Sequence, residues 1–218
     1  MHAVLNLYTY FRSSASYRVR IALNLKGLAY EAVPVHLVRD GGQQHAAAYT
    51  ALNPASLVPV LIDGDTTLSQ SLAIIEYLEE TYPEPALLPR DAAGRARVRA
   101  IAQTIACEIH PIDNLRVLRY LELQLGVDAE ARKAWYRHWV ELGFAAIERM
   151  LVEGAGTGHF CHGDSPTLAD CCLVPQLFNA ERFGVPLDAY PTILRIGEAC
   201  CSLAPFQRAA PQAQPDAE

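Results

Sequence analysis

Several features are scarce in this 218-residue chain, and each scarcity removes a class of function. Lys and Arg number 18 against 24 Asp and Glu, for a formal charge of −6, and no stretch concentrates the basic residues. A nucleic-acid surface is thereby excluded, since it needs a basic patch interleaved with aromatics. No apolar run approaches the roughly eighteen residues of a membrane span, and the segment before Arg12 has neither a basic start nor an apolar h-region. The expectation is a cytoplasmic protein with no membrane partner. Six cysteines are present, at 107, 161, 171, 172, 200 and 201, but none forms a C-x-x-C pair. Zinc ribbons and dithiol redox motifs are therefore absent, and adjacent pairs such as Cys171-Cys172, lying in apolar runs, read as small core residues. The one metal-like cluster, His159-Phe160-Cys161-His162, is too compressed to converge on an ion and reads as a polar loop; no metal is expected.

What is present divides into two halves of different character. The seam is Tyr82-Pro83-Glu84-Pro85-Ala86-Leu87-Leu88-Pro89, whose prolines cannot continue a helix. Before it the patterns give strand (residues 4–10), helix (14–26), strand (30–37), a short helix (43–51), strand (59–62), an Asp63-Gly64-Asp65 turn, strand (66–69) and helix (72–81). After it helical periodicity dominates, over residues 92–125, 129–152, 167–183 and 192–202. Thr167-Leu168-Ala169-Asp170 has the spacing of a capping box ahead of an apolar run. The tail after Pro211 is expected to fray. The fold expected is α/β plus all-α, with domains at 1–83 and 90–218.

Three segments of the first half carry chemistry. Tyr10-Phe11-Arg12-Ser13-Ser14-Ala15-Ser16 hands a strand over to a helix whose buried stripe is Tyr17, Ile21, Leu25 and Leu28. Its hydroxyls sit at a helix N-terminus, where unpaired N–H groups and the dipole stabilise an anion or a thiolate. Helix capping by Ser13, Ser14 and Ser16 is the plainer alternative. In Asn53-Pro54-x-x-x-Val58-Pro59, a cis peptide at Val58-Pro59 would turn the Val58 backbone out of the sheet toward a peptide-like ligand. The alternative is an ordinary trans proline at a strand edge. In Gln70-Ser71-Leu72, Ser71 is expected to cap a helix and seat a carboxylate, with Gln70 beside it as a further hydrogen-bonding group.

Taken together, Ser13-Ser14-x-Ser16-x-Arg18-Val19-Arg20, Asp40-Gly41-Gly42-Gln43-Gln44, Leu52-Asn53-Pro54 with Val58-Pro59, Gln70-Ser71-Leu72-Ala73-Ile74-Ile75-Glu76-Tyr77-Leu78, and Leu173-Val174-Pro175-Gln176 with Asn179-Ala180-Glu181-Arg182-Phe183 resemble the zeta class of the cytosolic glutathione transferases along nearly the whole chain. The resemblance implies a thioredoxin-like N-terminal domain that binds glutathione, a helical C-terminal domain that completes a substrate pocket, and a homodimer. It also implies glutathione-dependent cis–trans isomerisation of maleylacetoacetate in tyrosine and phenylalanine breakdown, or of maleylpyruvate in gentisate breakdown. A conjugating transferase and a non-catalytic binding module are the remaining alternatives.

In such an isomerisation the thiolate of glutathione adds to the double bond, the bond rotates, and the thiolate leaves. The protein must lower the thiol pKa, hold the substrate carboxylates and stabilise the enolate. Ser13 and Ser14 are the candidates for the first and third tasks, and the sequence does not choose between them. The glutathione contacts that the resemblance implies are Ser13, Ser14, Gln44, Val58, Pro59, Gln70, Ser71, His110 and Asn114. Arginine is the natural carboxylate clamp, and the resemblance implies Arg12 as a catalytic and substrate-binding group, with Arg116 and Arg182 as further substrate contacts. Arg18 and Arg20 are expected to pair with acids and hold their helix. Ala15 departs from the family pattern, which usually has cysteine there; glutathione supplies the sulfur, so the chemistry survives the change.

Overall fold

The computed structural model describes residues 4–218, and they divide into two compact units, 4–87 with 202–218, and 88–201. The first unit is built on a four-stranded sheet in the order β2-β1-β3-β4. Here β1 is Leu5–Thr9, β2 Tyr30–Pro34, β3 Val60–Asp63 and β4 Thr66–Ser69. β1 pairs in parallel with β2 and antiparallel with β3, which in turn pairs antiparallel with β4. Helices α1 (Ser14–Leu25), α2 (Ala47–Leu52) and α3 (Ser71–Thr81) complete the βαβαββα order expected from the patterning. Leu7, Val60, Leu61, Val19, Ile21, Leu23, Ile74 and Leu78 are removed from solvent and form the core. Burial of such side chains supplies most of the drive to fold, at ~1.5–3 kcal/mol each.

The proline-rich seam is stapled to this unit rather than left as a free linker. Lys26 Nζ, on a buried side chain, donates to Glu79 Oε2 (2.8 Å), the Tyr82 carbonyl (2.8 Å) and the Pro85 carbonyl (3.0 Å). Both oxygens of Glu79 also accept the Leu87 amide, Oε2 at 2.9 Å and Oε1 at 3.1 Å. A second departure from expectation lies at the other end of the chain. The segment from Ser202 onward belongs to the first unit, so the helical unit ends at Cys201 instead of running to the C-terminus. It forms α10 (Ala204–Ala209), which packs on α1 through buried Phe206 and Ala209, and Asn24 Nδ2 donates to the Pro205 carbonyl at 2.9 Å. The tail beyond Pro211 is ordered, not frayed. Gln214 is buried and its amide donates to the carbonyls of Arg208 and Ala210, both at 2.9 Å.

The second unit is helical: α4 (Ala92–Gln103), α5 (His110–Ile112), α6 (Leu115–Leu123), α7 (Ala129–Glu153), α8 (Leu168–Arg182) and α9 (Pro191–Cys201). The single helix expected over residues 92–125 is broken. A π-helical segment, Thr104–Ile109, leads into α5, and the chain restarts at Asn114, which caps α6 by accepting the Arg116 amide at 3.1 Å. Pro111 supplies the reason, because it lacks an N–H and crowds the preceding turn. The capping box forms as the spacing implied. Asp170 Oδ2 accepts from the Thr167 amide (2.7 Å) and hydroxyl (2.8 Å), and Oδ1 accepts the Cys161 amide (2.9 Å). That last bond, with Arg97 donating to the Cys161 carbonyl at 2.6 Å, fixes the His159–His162 loop. Cys171, Cys172 and Cys200 are core residues, whereas Cys201 is exposed. No helix among the described residues is long and apolar enough to cross a membrane.

Candidate active site

The sheet register explains why scattered segments of the first unit meet. β1 and β2 end together, at the pair Thr9↔Pro34, and β3 begins opposite the end of β4, at Val60↔Ser69, with Val60 also paired to Tyr8. Phe11-Arg12-Ser13-Ser14, the 36–45 loop, Val58-Pro59 and Gln70-Ser71 therefore all leave the sheet at one end. Ligand sites of open sheets with parallel strands form at the strands' carboxyl ends.

At that end Ser13 occupies the cap position of α1, and its Oγ accepts the Ser16 amide at 3.2 Å. Ser14 is the first helical residue and is buried. The two serines thus differ: one has an acceptor lone pair committed to the helix, and the other follows it on the first turn. Arg12 is exposed; its guanidinium lies 4.8 Å from the centre of the Phe11 ring and donates to Tyr10 Oη at 3.2 Å. Gln70, not Ser71, holds the cap position of α3. It has φ 70° and ψ 116° and makes no side-chain cap bond, so Ser71 is the first residue of the helix instead of its cap. A non-glycine residue in that region stores roughly 1–3 kcal/mol of strain, which recurs at ligand clamps. Ser71 is buried and its Oγ accepts from Arg18 Nη1 at 3.2 Å, tying the start of α3 to α1.

Val58-Pro59 is a cis peptide, and Val58 takes no part in the strand ladder. In the 36–45 loop, Gly42 sits at φ 108°, and a Cβ there would come within 2.6 Å of the Gln44 side chain. Gln44 is buried; its Nε2 donates to the Leu37 carbonyl at 3.4 Å, while its Oε1 is shielded from solvent without a hydrogen-bond partner. An orphaned buried acceptor beside a helix N-terminus, an unladdered strand end and a strained glutamine fits a peptide-like ligand carrying N–H donors and carboxylates.

Arg20 corrects an expectation. Its guanidinium, fully buried, spends its hydrogen bonds not on a carboxylate but on Thr9 Oγ1 (3.0 Å) and the carbonyls of Tyr10 (3.3 Å), Phe11 (3.0 Å) and Ala209 (2.9 Å), with the Asp216 carboxylate acting on it only through its charge. Burial lowers its pKa to about 10. The sequence signal was an arginine three residues from Tyr17 on the apolar stripe of α1.

In the helical unit His110, on α5, and Asn114, the cap of α6, do not share a helix but meet across the break, with Asn114 Nδ2 3.4 Å from His110 Nε2. Arg116 and Arg182 are exposed, and the Arg182 guanidinium is 4.8 Å from the Phe183 ring centre. Phe183 stacks on Tyr136, with centroids 3.6 Å apart. Asp113, between His110 and Asn114, was not singled out from sequence. Its carboxyl is buried with neither oxygen hydrogen-bonded, and burial pushes its pKa up to about 8. Burial, then the proximity of Asp113, raises the Tyr136 phenol.

A mixed four-stranded sheet of this order, followed by a helical unit, is the fold of the glutathione transferases. Residues 7–86 match the family model of the glutathione S-transferase N-terminal domain, and residues 133–195 that of the C-terminal domain. The chain is 54% identical to a probable maleylacetoacetate isomerase of Vibrio cholerae, over 97% of each chain. It is 52% identical to a maleylpyruvate isomerase of a Ralstonia species, over 97% of this chain and 99% of that protein. Among solved structures, a maleylpyruvate isomerase described as a bacterial zeta-class glutathione transferase superposes with a TM-score of 0.95 at 51% identity, covering 98% of this chain and 100% of that one. A Methylobacterium extorquens maleylacetoacetate isomerase with bound malonate and glutathione gives 0.94 at 43%, covering 98% and 99%. This chain belongs to the glutathione transferase family, in the zeta-class branch that contains the maleylacetoacetate and maleylpyruvate isomerases.

Proposed function

We propose that this protein catalyses the glutathione-dependent cis–trans isomerisation of maleylacetoacetate to fumarylacetoacetate. The observation that carries the reading is the gathering, at one end of the sheet, of Ser13-Ser14 at a helix N-terminus, the Gln44 orphan acceptor, Val58-Pro59 and Gln70-Ser71. Relatives with the isomerase name over 97% of the chain support it, as do solved relatives holding glutathione. Glutathione when bound supplies a thiolate whose reversible addition to the cis double bond permits rotation. The chain's own residues bind and polarise. The N–H groups of the first turn of α1 and the Ser14 hydroxyl stabilise negative charge on sulfur and on the enolate. Ser13 Oγ holds the helix end while its proton remains available. Gln44, Val58, Pro59, Gln70 and Ser71 seat the tripeptide, with His110 and Asn114 as further contacts. Arg12, Arg116 and Arg182 hold the diacid. The active species is a cytoplasmic homodimer; cysteines left free, without disulfides, suit a reducing compartment.

The test is turnover of maleylacetoacetate and maleylpyruvate side by side, with and without millimolar glutathione. Fast glutathione-dependent turnover of the first is expected. The Ralstonia relative, at nearly the same identity, makes maleylpyruvate the second reading, and faster turnover of that substrate would select it. Ser14→Ala is expected to lower kcat about 100-fold, whereas Ser13→Ala also destabilises α1 by about 1 kcal/mol. Full activity in Ser14→Ala would remove that serine from its role. Arg182→Ala is expected to raise KM for the diacid more than KM for glutathione; equal rises would make it a structural arginine.

A further inference from the structure

The loop from Tyr10 to Ser13 belongs to neither strand nor helix, so its peptide groups must find partners elsewhere. The Ser13 amide closes a turn onto the Tyr10 carbonyl at 3.0 Å. Phe11 is different, because both of its peptide groups are held from outside the loop. Its carbonyl accepts from Arg20 Nη2 at 3.0 Å, and its amide donates to Asp216 Oδ2 at 3.0 Å, across 205 residues of sequence. Arg20 is itself bonded through Nε to the Ala209 carbonyl in the same C-terminal segment. Asp216 is also one of the charges that hold the Arg20 guanidinium in its protonated form against burial.

The segment is firmly seated before it reaches the loop. Phe206, Ala209, Pro211 and Gln214 are buried, and Gln214 ties its turn to Arg208 and Ala210. Beyond Asp216, Glu218 pairs with the exposed Arg39 and lies 3.5 Å from His36 Nε2. Arg39 and His36 belong to the loop that carries Gln44. The His36 ring is fixed on its other side, where Nδ1 accepts the amides of Arg39 (2.8 Å) and Val38 (3.2 Å). One segment thus contacts both the serine loop and the glutamine loop. A cavity of about 360 Å3 between Pro34, His36, Arg39, Gln43 and the last four residues marks where it crosses.

We infer that Asp216 is a positioning residue for the Arg12-Ser13-Ser14 loop, its carboxylate fixing the Phe11 amide so that the serines are presented in one geometry. The inference rests on the proposed isomerase reading for its consequence, but not for its structural content. Asp216 touches no reacting atom in this role. It acts through the Phe11 peptide, opposite Arg20.

The experiment compares Asp216→Ala with Asp216→Asn, which keeps a carbonyl oxygen as acceptor. The first readout is amide hydrogen exchange over residues 10–14 in the glutathione-free protein. In Asp216→Ala the Phe11 amide is expected to exchange at least about tenfold faster, equivalent to about 1.4 kcal/mol, the scale of one hydrogen bond to a charged acceptor. Asp216→Asn is expected to restore much of the protection. The second readout is the thiol pKa of bound glutathione, followed by its thiolate absorbance, which is expected to rise in Asp216→Ala and return toward the wild-type value in Asp216→Asn. Parallel kinetics are expected to show a fall in kcat with KM for the diacid nearly unchanged. Unchanged exchange at Phe11 in Asp216→Ala overturns the inference, as does faster exchange spread evenly over the sheet, which marks a general loss of stability. Faster exchange at Phe11 with an unchanged thiol pKa and kcat overturns the positioning role while leaving the isomerase reading intact. Loss of the isomerase reading would appear separately, as a wild-type protein inactive on both diacids.

Discussion

The first unit buries basic side chains and the helical unit acidic ones, and they do so for different reasons. In the first unit the buried ions are cations. Lys26 and Arg20 satisfy carbonyls of segments that have no secondary structure of their own, the proline-rich seam and the serine loop. In the helical unit the buried ionisable side chains are acidic, Asp170 and Asp113. Asp170 collects two amides and a hydroxyl where a helix begins and a loop turns. Loops at the end of a sheet leave carbonyls in need of donors, whereas helix starts leave amides in need of acceptors. Asp113 breaks the pattern, being buried without either kind of partner.

The sharpest way to break the comparison is Arg20→Met. It strands the Phe11 and Ala209 carbonyls inside the protein, at about 1–3 kcal/mol for each unsatisfied group. A loss on the order of 5 kcal/mol is expected by urea denaturation, enough to threaten folding, and a loss below about 1 kcal/mol would show that loop carbonyls find water instead. Asp170→Ala ranks next. It is expected to cost about 3 kcal/mol, with Asp170→Asn milder because one acceptor remains.

Asp113→Asn sharpens the comparison through pH. The carboxyl of Asp113 has its pKa raised by burial from 3.8 to about 8. A raised carboxyl contributes its full stability below the unfolded value, and that contribution falls as pH rises through the folded one. Relative to wild type, Asp113→Asn is therefore expected to gain stability progressively between about pH 4 and pH 8, reaching a few kcal/mol. A difference that does not vary with pH would mean that the carboxyl meets solvent. The smallest effect belongs to Arg39→Ala, whose partner Glu218 is solvent-exposed. No measurable change in melting temperature is expected, as for most surface pairs.

Much of this was legible in the sequence because it is local. The βαβαββα order, the Thr167–Asp170 capping box and the serines at the start of α1 each rest on residues within a few positions of one another. The break at Pro111 was also local, yet it was missed, because the apolar period runs through it while the proline and the Asn114 cap interrupt the backbone. Gln70 was placed beside the site, but its positive φ was invisible, since glutamine carries no signal for that conformation. Arg20 looked like half of an ion pair because arginine usually meets acids; its neighbours here are carbonyls delivered by a loop and a distant helix.

The sequence by itself determined the element order, the division into a mixed sheet and a helical half, and the residue types able to polarise a thiol and clamp a diacid. Periodicity, caps and turn chemistry act over a few residues, so a linear reading reaches them. Tertiary structure alone decided that Arg20 donates to the Ala209 carbonyl, that Asp113 is buried without a partner, and that the last residues fold back onto the first unit so that Asp216 meets Phe11. Such contacts join positions far apart in the chain, and the core and register that bring them together leave no trace in the sequence around either one.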